Sequence, residues 1–136
     1  MNQSSIPVNQ PKTREIPFDQ WIPFLAEFTR ENRGAHARLE VVGPKDEPLY
    51  QVETENRPLD GVSADIKDRE CTVWIFFGSS PGQMLTHGVH SATAIRVLSE
   101  SEDTGPTFEV EARDGTKTIL QLTKPEEYAL PPTESQ

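Results

Sequence analysis

The residues that could support chemistry are few, and they lie in segments that the sequence predicts to be strands. Asp65 and His87 are a carboxylate and an imidazole, the groups that move protons in hydrolytic enzymes. If they met across neighbouring strands beside Ser63, they would form the best arrangement for hydrolysis that the chain offers. A solvated aspartate and a neutral, hydrogen-bonded histidine are the commoner outcomes. A small-molecule or hydrolytic pocket of Asp65 and His87, walled by Trp74 and Phe76, is therefore the alternative interpretation.

No residues have the spacing of a metal or cofactor site. His87 and His90 are three apart, an odd offset that places them on opposite faces of a strand, and His36 is distant in sequence. Cys71 is the single cysteine and is predicted to be a half-buried thiol at the edge of the core. Segment 78–82, Gly-Ser-Ser-Pro-Gly, lacks the lysine of a phosphate loop and predicts a turn. We therefore expect no cofactor, no metal and no catalytic residue.

The composition limits the partners. The chain has 136 residues, with 13 basic against 22 acidic side chains and a net charge of −9. Because phosphate backbones and anionic lipid surfaces repel such a protein, we expect neither nucleic acid nor membrane as a partner. There is no apolar run near the roughly 20 residues that a membrane span needs, and no leader-like segment at the start. The sequence predicts a reduced, cytoplasmic protein.

The chain length fits one domain. Segments 1–13 and 125–136 are polar or proline-rich without periodicity, so they are predicted to be flexible tails, the second of them acidic. The domain would then span residues 14–124.

Residues 19–33 carry the spacing i, i+3, i+4, i+7 of an amphipathic helix, and Gly34 ends it. Asp19 is the predicted N-cap, although Pro23 would make the first turn irregular. The apolar positions are Trp21, Phe24, Leu25 and Phe28.

Strand-like runs follow the helix at roughly ten-residue spacing. The run 72–77, Thr-Val-Trp-Ile-Phe-Phe, has no polar face and predicts a central strand covered on both sides. The runs are 38–42, 49–54, 59–66, 72–77, 84–89, 94–98, 108–113 and 117–122.

The last two runs predict a hairpin with a defined register. A three-residue loop, 113–115, with a positive φ at Gly115, places Phe108 opposite Leu120 and Val110 opposite Thr118. The apolar residues then share one face of the hairpin. Together these patterns predict an α+β fold, in which one N-terminal helix packs on a curved, mostly antiparallel meander of about eight short strands, open or partly closed into a barrel.

Several short motifs recur in order along the predicted domain. They are Arg-Glu-Ile-Pro at 14–17, Asp-Gln-Trp at 19–21, Pro-Leu-Asp-Gly-Val-Ser-Ala-Asp at 58–65, Leu-Thr-His at 85–87 and Asp-Gly-Thr at 114–116. In this set the chain resembles a family of small bacterial proteins that is known only as a domain of unknown function. The resemblance implies a bacterial origin and a single compact domain, and it implies no activity, cofactor or catalytic residue.

The leading functional interpretation is a non-enzymatic module that binds a partner protein or a second copy of itself. Many short strands leave at least two sheet edges, and the chain carries no catalytic signature. A sheet edge or an apolar patch would provide the contact.

Overall fold

The computed structural model describes residues 13–44, 49–78, 84–98 and 105–123. The predicted tails, except residue 13, lie outside the described residues, as do residues 79–82 of the predicted turn.

The described residues form eight strands, one α-helix and a short 3-10 turn at Phe18–Gln20. The elements are β1 Thr13–Ile16, α1 Trp21–Asn32, β2 His36–Val42, β3 Tyr50–Lys67, β4 Glu70–Phe77, β5 Leu85–Val89, β6 Ala92–Leu98, β7 Thr107–Ala112 and β8 Lys117–Leu122.

All eight strands belong to one antiparallel sheet with the order β1-β6-β7-β8-β2-β3-β4-β5. The predicted α+β class and antiparallel sheet are confirmed. The sheet is nevertheless not a closed barrel, because β1 and β5 lie at its two ends. It is also not one meander: strands β2 to β5 and β6 to β8 form two meanders, joined where β8 pairs with β2. Because β8 and β2 are distant in sequence, their pairing cannot be predicted from the short connections between neighbouring strands.

Strand β3 is a single element where the sequence predicts two strands, 49–54 and 59–66. Its first half pairs with β2 and its second half with β4, with register shifts in both pairings. Asn56 lies between the halves with a φ of 58°. Asparagine tolerates this left-handed conformation better than most residues, so the strand can bend here without ending.

Strand β1 was not predicted, and its first residue, Thr13, was assigned to the tail. Only Ile16 of its four residues is apolar and buried, so the segment has no visible alternation. It pairs along its full length with β6.

The helix begins at Trp21 rather than at the predicted cap. Gln20 occupies the N-cap position without a side-chain hydrogen bond, and Asp19 lies in the preceding 3-10 turn. With this start Pro23 is the third helical residue, where a missing N–H breaks no intrahelical bond. The predicted cap at Asp19 is thus wrong, and instead of an irregular first turn caused by Pro23 a separate 3-10 turn, Phe18–Gln20, precedes the helix.

The apolar face of α1 packs on the sheet and forms the centre of the core. Trp21, Leu25 and Phe28 are buried, and the Phe28 ring stacks on that of Phe108 with centroids 5.0 Å apart. The Trp21 indole also donates from Nε1 to the carbonyl oxygen of Ile16 at 3.0 Å, which ties the helix to β1.

The C-terminal hairpin has the predicted register. Phe108 pairs with Leu120 and Val110 with Thr118, and Gly115 has a φ of 95°. All four of the paired side chains are buried. The local sequence is therefore sufficient to determine this part of the fold.

Helix α1 also covers an edge of β3 that β2 is too short to reach. The Thr29 hydroxyl donates to the Val62 carbonyl oxygen at 3.0 Å and accepts from the Val62 N–H at 2.9 Å. One side chain therefore satisfies both backbone groups of a strand residue that has no β2 partner at that position.

We expect Thr29→Val to lower the free energy of unfolding by about 1–2 kcal/mol, because it leaves both Val62 groups without this partner. Thr29→Ser keeps the hydroxyl and is the matched control, with a smaller expected loss. Urea denaturation of the three proteins measures the difference. Equal losses for the two variants would show that the hydroxyl does not stabilise this edge.

Candidate functional site

The two faces of β4 differ in burial. Val73, Ile75 and Phe77 are fully buried, and we call their side the covered face. Trp74 and Phe76 point the opposite way, as predicted, and are half-buried on what we call the open face. The expectation that β4 is covered on both sides is therefore wrong for the open face. Strand β4 is also not central, since only β5 separates it from the end of the sheet.

Asp65 shares the open face with the two aromatic residues. It lies opposite Thr72 in the register of β3 and β4, and residues directly opposite each other point to the same side. Ser63 lies opposite Trp74 on the same face. Both Asp65 and Ser63 are exposed to solvent.

His87 lies on the covered face. It is opposite Ile75 and alternates with Leu85 and Val89, as its position in the predicted strand suggested. The sheet therefore separates its imidazole from Asp65. The four residues of the predicted pocket do not line one cavity, and the Asp-His-Ser arrangement is not assembled.

The His87 ring is half-buried, and within the described part of the chain it makes no hydrogen bond. Burial lowers the pKa of His87, the nearby Glu53 carboxylate opposes this shift, and His90 adds to it. The ring is therefore neutral at and above neutral pH. The predicted internal hydrogen bond is not formed by the described residues.

Cys71 is buried more deeply than predicted, with 3% of its surface exposed. Burial raises the pKa of its thiol, and the carboxylate of Asp65 adds to this. A protonated, covered thiol is a poor nucleophile, so this geometry fits a core residue.

Three turns meet at one corner of the molecule, beside a concavity of about 290 Å³ lined by His90, Ser91 and Arg113 among others. Glu70 accepts from the Ser91 hydroxyl at 2.9 Å and from Arg113 Nη2 at 3.1 Å, and these contacts lower the pKa of the Glu70 carboxyl. His90 Nδ1 lies 3.3 Å from the Thr72 hydroxyl. Because Ser91 donates to a carboxylate and not to His90, the corner holds turns together and does not activate a nucleophile.

A second concavity, of about 300 Å³, lies where β2 begins and β8 ends. His36 Nδ1 is 2.8 Å from the Asn56 side-chain oxygen, and Arg38 on its wall is bound by Glu40 and Glu55. The arginine is therefore already neutralised by carboxylates of the same chain.

The solvent-facing side of β6 and its neighbours carries a second arginine centre, which sequence reasoning missed. Arg96 binds Glu15 at 3.3 Å, Glu109 at 2.6 Å and Glu111 at 2.9 Å. These partners come from β1 and β7, so only the strand register reveals the cluster. It leaves this face acidic.

The residues described in the structure contain no group of three histidine, cysteine or acidic side chains that could hold a metal ion. Within the same residues, no helix has the length and hydropathy of a membrane span.

The feature with the clearest capacity for binding is the outer edge of β5. In the described residues β5 pairs with β4 on one side and with no strand on the other. Strand β6 follows after a turn at His90 and Ser91, but it pairs with β1 and β7 and contacts β4 instead. Strand β6 thus turns away from β5, and no described residue forms a hydrogen bond with the outer backbone groups of β5.

This edge lacks the features that usually prevent strands from pairing. Residues 85–89, Leu-Thr-His-Gly-Val, include no lysine, arginine, acidic residue or proline, and the register with β4 is uninterrupted. The opposite end of the sheet is different, because β1 has four residues and carries Arg14 and Glu15. Of the two ends, β5 is the one suited to accept another strand.

On the open face beside this edge, the indole of Trp74 lies over Gly88. The two residues are opposite each other, and a Cβ added to Gly88 would be 2.6 Å from Cζ3 of the indole ring. The ring also makes an edge-to-face contact with His90 at 5.7 Å. Glycine at position 88 therefore lets the indole pack against the β5 backbone and stiffen the edge strand.

We expect Gly88→Ala to destabilise the protein by about 1–2 kcal/mol, because the indole must leave its position over the strand. In a Trp74→Leu background the same substitution should cost much less. Chemical denaturation of the four variants forms the double-mutant cycle. An equal cost in both backgrounds would mean that the ring does not require the glycine.

The comparisons with known proteins agree with the sequence-level resemblance. A family model described as "Family of unknown function (DUF5335)" matches residues 12–132. No curated protein and no solved structure matches the chain.

Proposed function

This chain belongs to the DUF5335 family of unknown function, and we propose that it is a non-enzymatic protein-interaction module that binds an extended polypeptide strand along the outer edge of β5. The observation that carries the proposal is the outer edge of Leu85–Val89, which pairs with no strand of the described residues, contains no charged residue and has an uninterrupted register with β4. In this mode of recognition, backbone hydrogen bonds to the added strand supply affinity, and alternate side chains supply specificity.

The neighbouring structure supports this use of the edge. Strand β4 anchors β5 along all five of its residues, from Leu85 to Val89. Trp74 packs over Gly88 of the edge strand, so the added strand would meet a preformed template. Ordering the template in advance reduces the entropy lost on binding.

Charge also favours the β5 edge over the other surfaces. The chain has a net charge of −9, and the face around Arg96 carries three carboxylates for one arginine. Residues 85–89 contain no such group, so an incoming strand buries no carboxylate there. We place the module in the bacterial cytoplasm, where its lone thiol stays reduced.

The alternative of a hydrolytic pocket has less support, because His87 and Asp65 lie on opposite faces of the sheet. No other observation favours an enzymatic role over the edge.

Site-specific crosslinking tests the proposal in cells that naturally make the protein. A photoreactive amino acid at position 86, on β5, is compared with the same group at position 63, which is also exposed on the open face but lies on β3. We expect a discrete protein adduct at 86 and little at 63. Equal labelling at both positions, or none at 86, would overturn the proposal.

The crosslinked segment is then synthesised and its affinity measured by fluorescence anisotropy. Thr86→Lys places a charge on the edge and should weaken binding about tenfold or more. Ser63→Lys adds the same charge two strands away and should leave binding unchanged. A segment that binds Thr86→Lys as tightly as the wild type would place the interaction elsewhere.

A further inference from the structure

We infer that the strand that occupies the β5 edge is β5 of a second copy of this chain, paired antiparallel about a two-fold axis at His87. The inference rests on the proposed function, because it uses the same edge and names its partner. The result would be one continuous sheet through two molecules, the isologous contact typical of symmetric dimers.

The five residues of β5 are complementary to themselves. With His87 at the axis, Leu85 of one copy lies opposite Val89 of the other, and Thr86 lies opposite Gly88. Apolar residues meet apolar residues, and the small threonine meets the position without a side chain. A shift of register by two residues would leave two of the five positions without a partner and would place Leu85 opposite His87.

The two faces of the strand suit this pairing. On the covered face, half-buried Leu85 gains Val89 of the second copy as a neighbour, which extends the apolar row beyond Phe77 and Val73. On the open face, the indole of Trp74 already lies flat over Gly88. Residues 85–89 carry no carboxylate, so the two paired strands themselves bring no like charges together.

The two-fold axis brings the imidazoles of two His87 residues together, since side chains of directly opposed residues lie about 4.5–5.5 Å apart at Cβ. Neutral rings can share a hydrogen bond, one nitrogen donating and the other accepting. The titratable groups near His87 in the monomer are Glu53 on β3 and His90 in the turn that follows β5. Two protonated rings would repel each other at the axis, so acidification should dissociate the dimer.

Sedimentation equilibrium of the full chain tests the inference at about pH 7.5 and about pH 5.5. We expect a reversible dimer whose Kd rises as the pH falls below the lowered pKa of His87, because dissociation takes up protons at two rings. His87→Gln keeps a neutral hydrogen-bonding side chain and should dimerise with no such dependence on pH. Thr86→Lys should be monomeric, whereas Ser63→Lys should dimerise like the wild type.

Circular dichroism at both pH values separates dissociation from unfolding. Burial of His87 lowers its pKa below the ordinary value of 6.5, so protonation also favours the unfolded chain as the pH falls below that value. A folded monomer at low pH and a folded dimer at neutral pH support the inference. Dimers that survive Thr86→Lys, or equal pH dependence in wild type and His87→Gln, would overturn it.

The outcomes distinguish this inference from the proposed function. A protein that stays monomeric up to about 1 mM, yet forms an adduct with a different protein at position 86, overturns the self-pairing and leaves the β5 edge as the binding surface. A monomer with no adduct at position 86 overturns both.

Discussion

Replacement of Phe108 by alanine should lower the free energy of unfolding by about 3–5 kcal/mol, the largest loss expected for a single side chain of this protein. The ring is 0% exposed and stacks on Phe28 of the helix, with centroids 5.0 Å apart. Phe108 lies at the contact of α1 with the sheet, so the substitution leaves a cavity between the two layers. Because stability of small domains is about 5–15 kcal/mol, a marginal chain would unfold.

Phe18→Ala is the matched control, since it removes the same ring from a position that is 54% exposed. Among the described residues, the only aromatic ring that contacts the Phe18 ring is that of Trp21, in a T-shaped arrangement with centroids 4.9 Å apart. We expect a loss below about 1 kcal/mol. Thermal and urea unfolding give both values. Similar losses for the two variants would contradict the position of the helix on the sheet.

Replacement of Gly105 by alanine should lower the free energy of unfolding by about 3 kcal/mol, the upper part of the range for overpacked sites. A Cβ at this buried position would lie 2.6 Å from the carbonyl oxygen of Thr123 and 2.8 Å from that of Leu122. Both contacts are to backbone, which cannot rotate away as a side chain can. The Gly105 N–H also donates to the Leu122 carbonyl oxygen at 3.1 Å, and displacement would weaken this bond.

Gly34→Ala provides the comparison, because the cost of replacing this glycine has a different physical cause. Gly34 has a φ of 92°, and nothing lies within 4 Å of an added Cβ. Its replacement therefore costs only the strain of a left-handed alanine, about 1–2 kcal/mol. Urea denaturation should rank Gly105→Ala above Gly34→Ala. The reverse order would show that β8 does not approach residue 105 as closely as described.

The parts of the fold that the sequence predicts correctly are those set by neighbouring residues. The register of the last hairpin follows from alternation and from Gly115, and the buried face of α1 follows from the spacing of Trp21, Leu25 and Phe28. Each depends on contacts within a short stretch of chain. Physical rules for turns and amphipathic helices apply to such stretches directly.

The parts that the sequence does not predict depend on distant pairing. Strand β1 becomes recognisable only when β6 pairs with it, and the two predicted strands of β3 are one because different neighbours hold its halves. The same limit applies to the start of the helix. The capping preference of Asp19 is a local rule, and it does not include the hydrogen bond that Trp21 makes to Ile16 of β1.

The candidate pocket shows this limit most clearly. Alternation correctly places His87 on the same face as Leu85 and Val89. Whether Asp65 and His87 lie on the same side of the sheet depends, however, on the register of two strand pairs, β3 with β4 and β4 with β5. The sequence likewise did not identify β5 as an edge strand, although it predicted that the sheet would have edges. Gly88 opposite Trp74 is the available signal, because an edge glycine beneath an aromatic ring marks a strand stiffened from one side.

Amide hydrogen exchange of residues 85–89, measured by NMR, tests most directly whether the β5 edge accepts a strand. It is measured at rising protein concentration, and again with any segment recovered from the position 86 adduct. The outward-facing amides of β5 should exchange rapidly in the free monomer and become protected on association, while exchange in β1 stays unchanged. Strong protection of every β5 amide already in the free monomer, or no added protection in the bound state, would contradict the use of this edge.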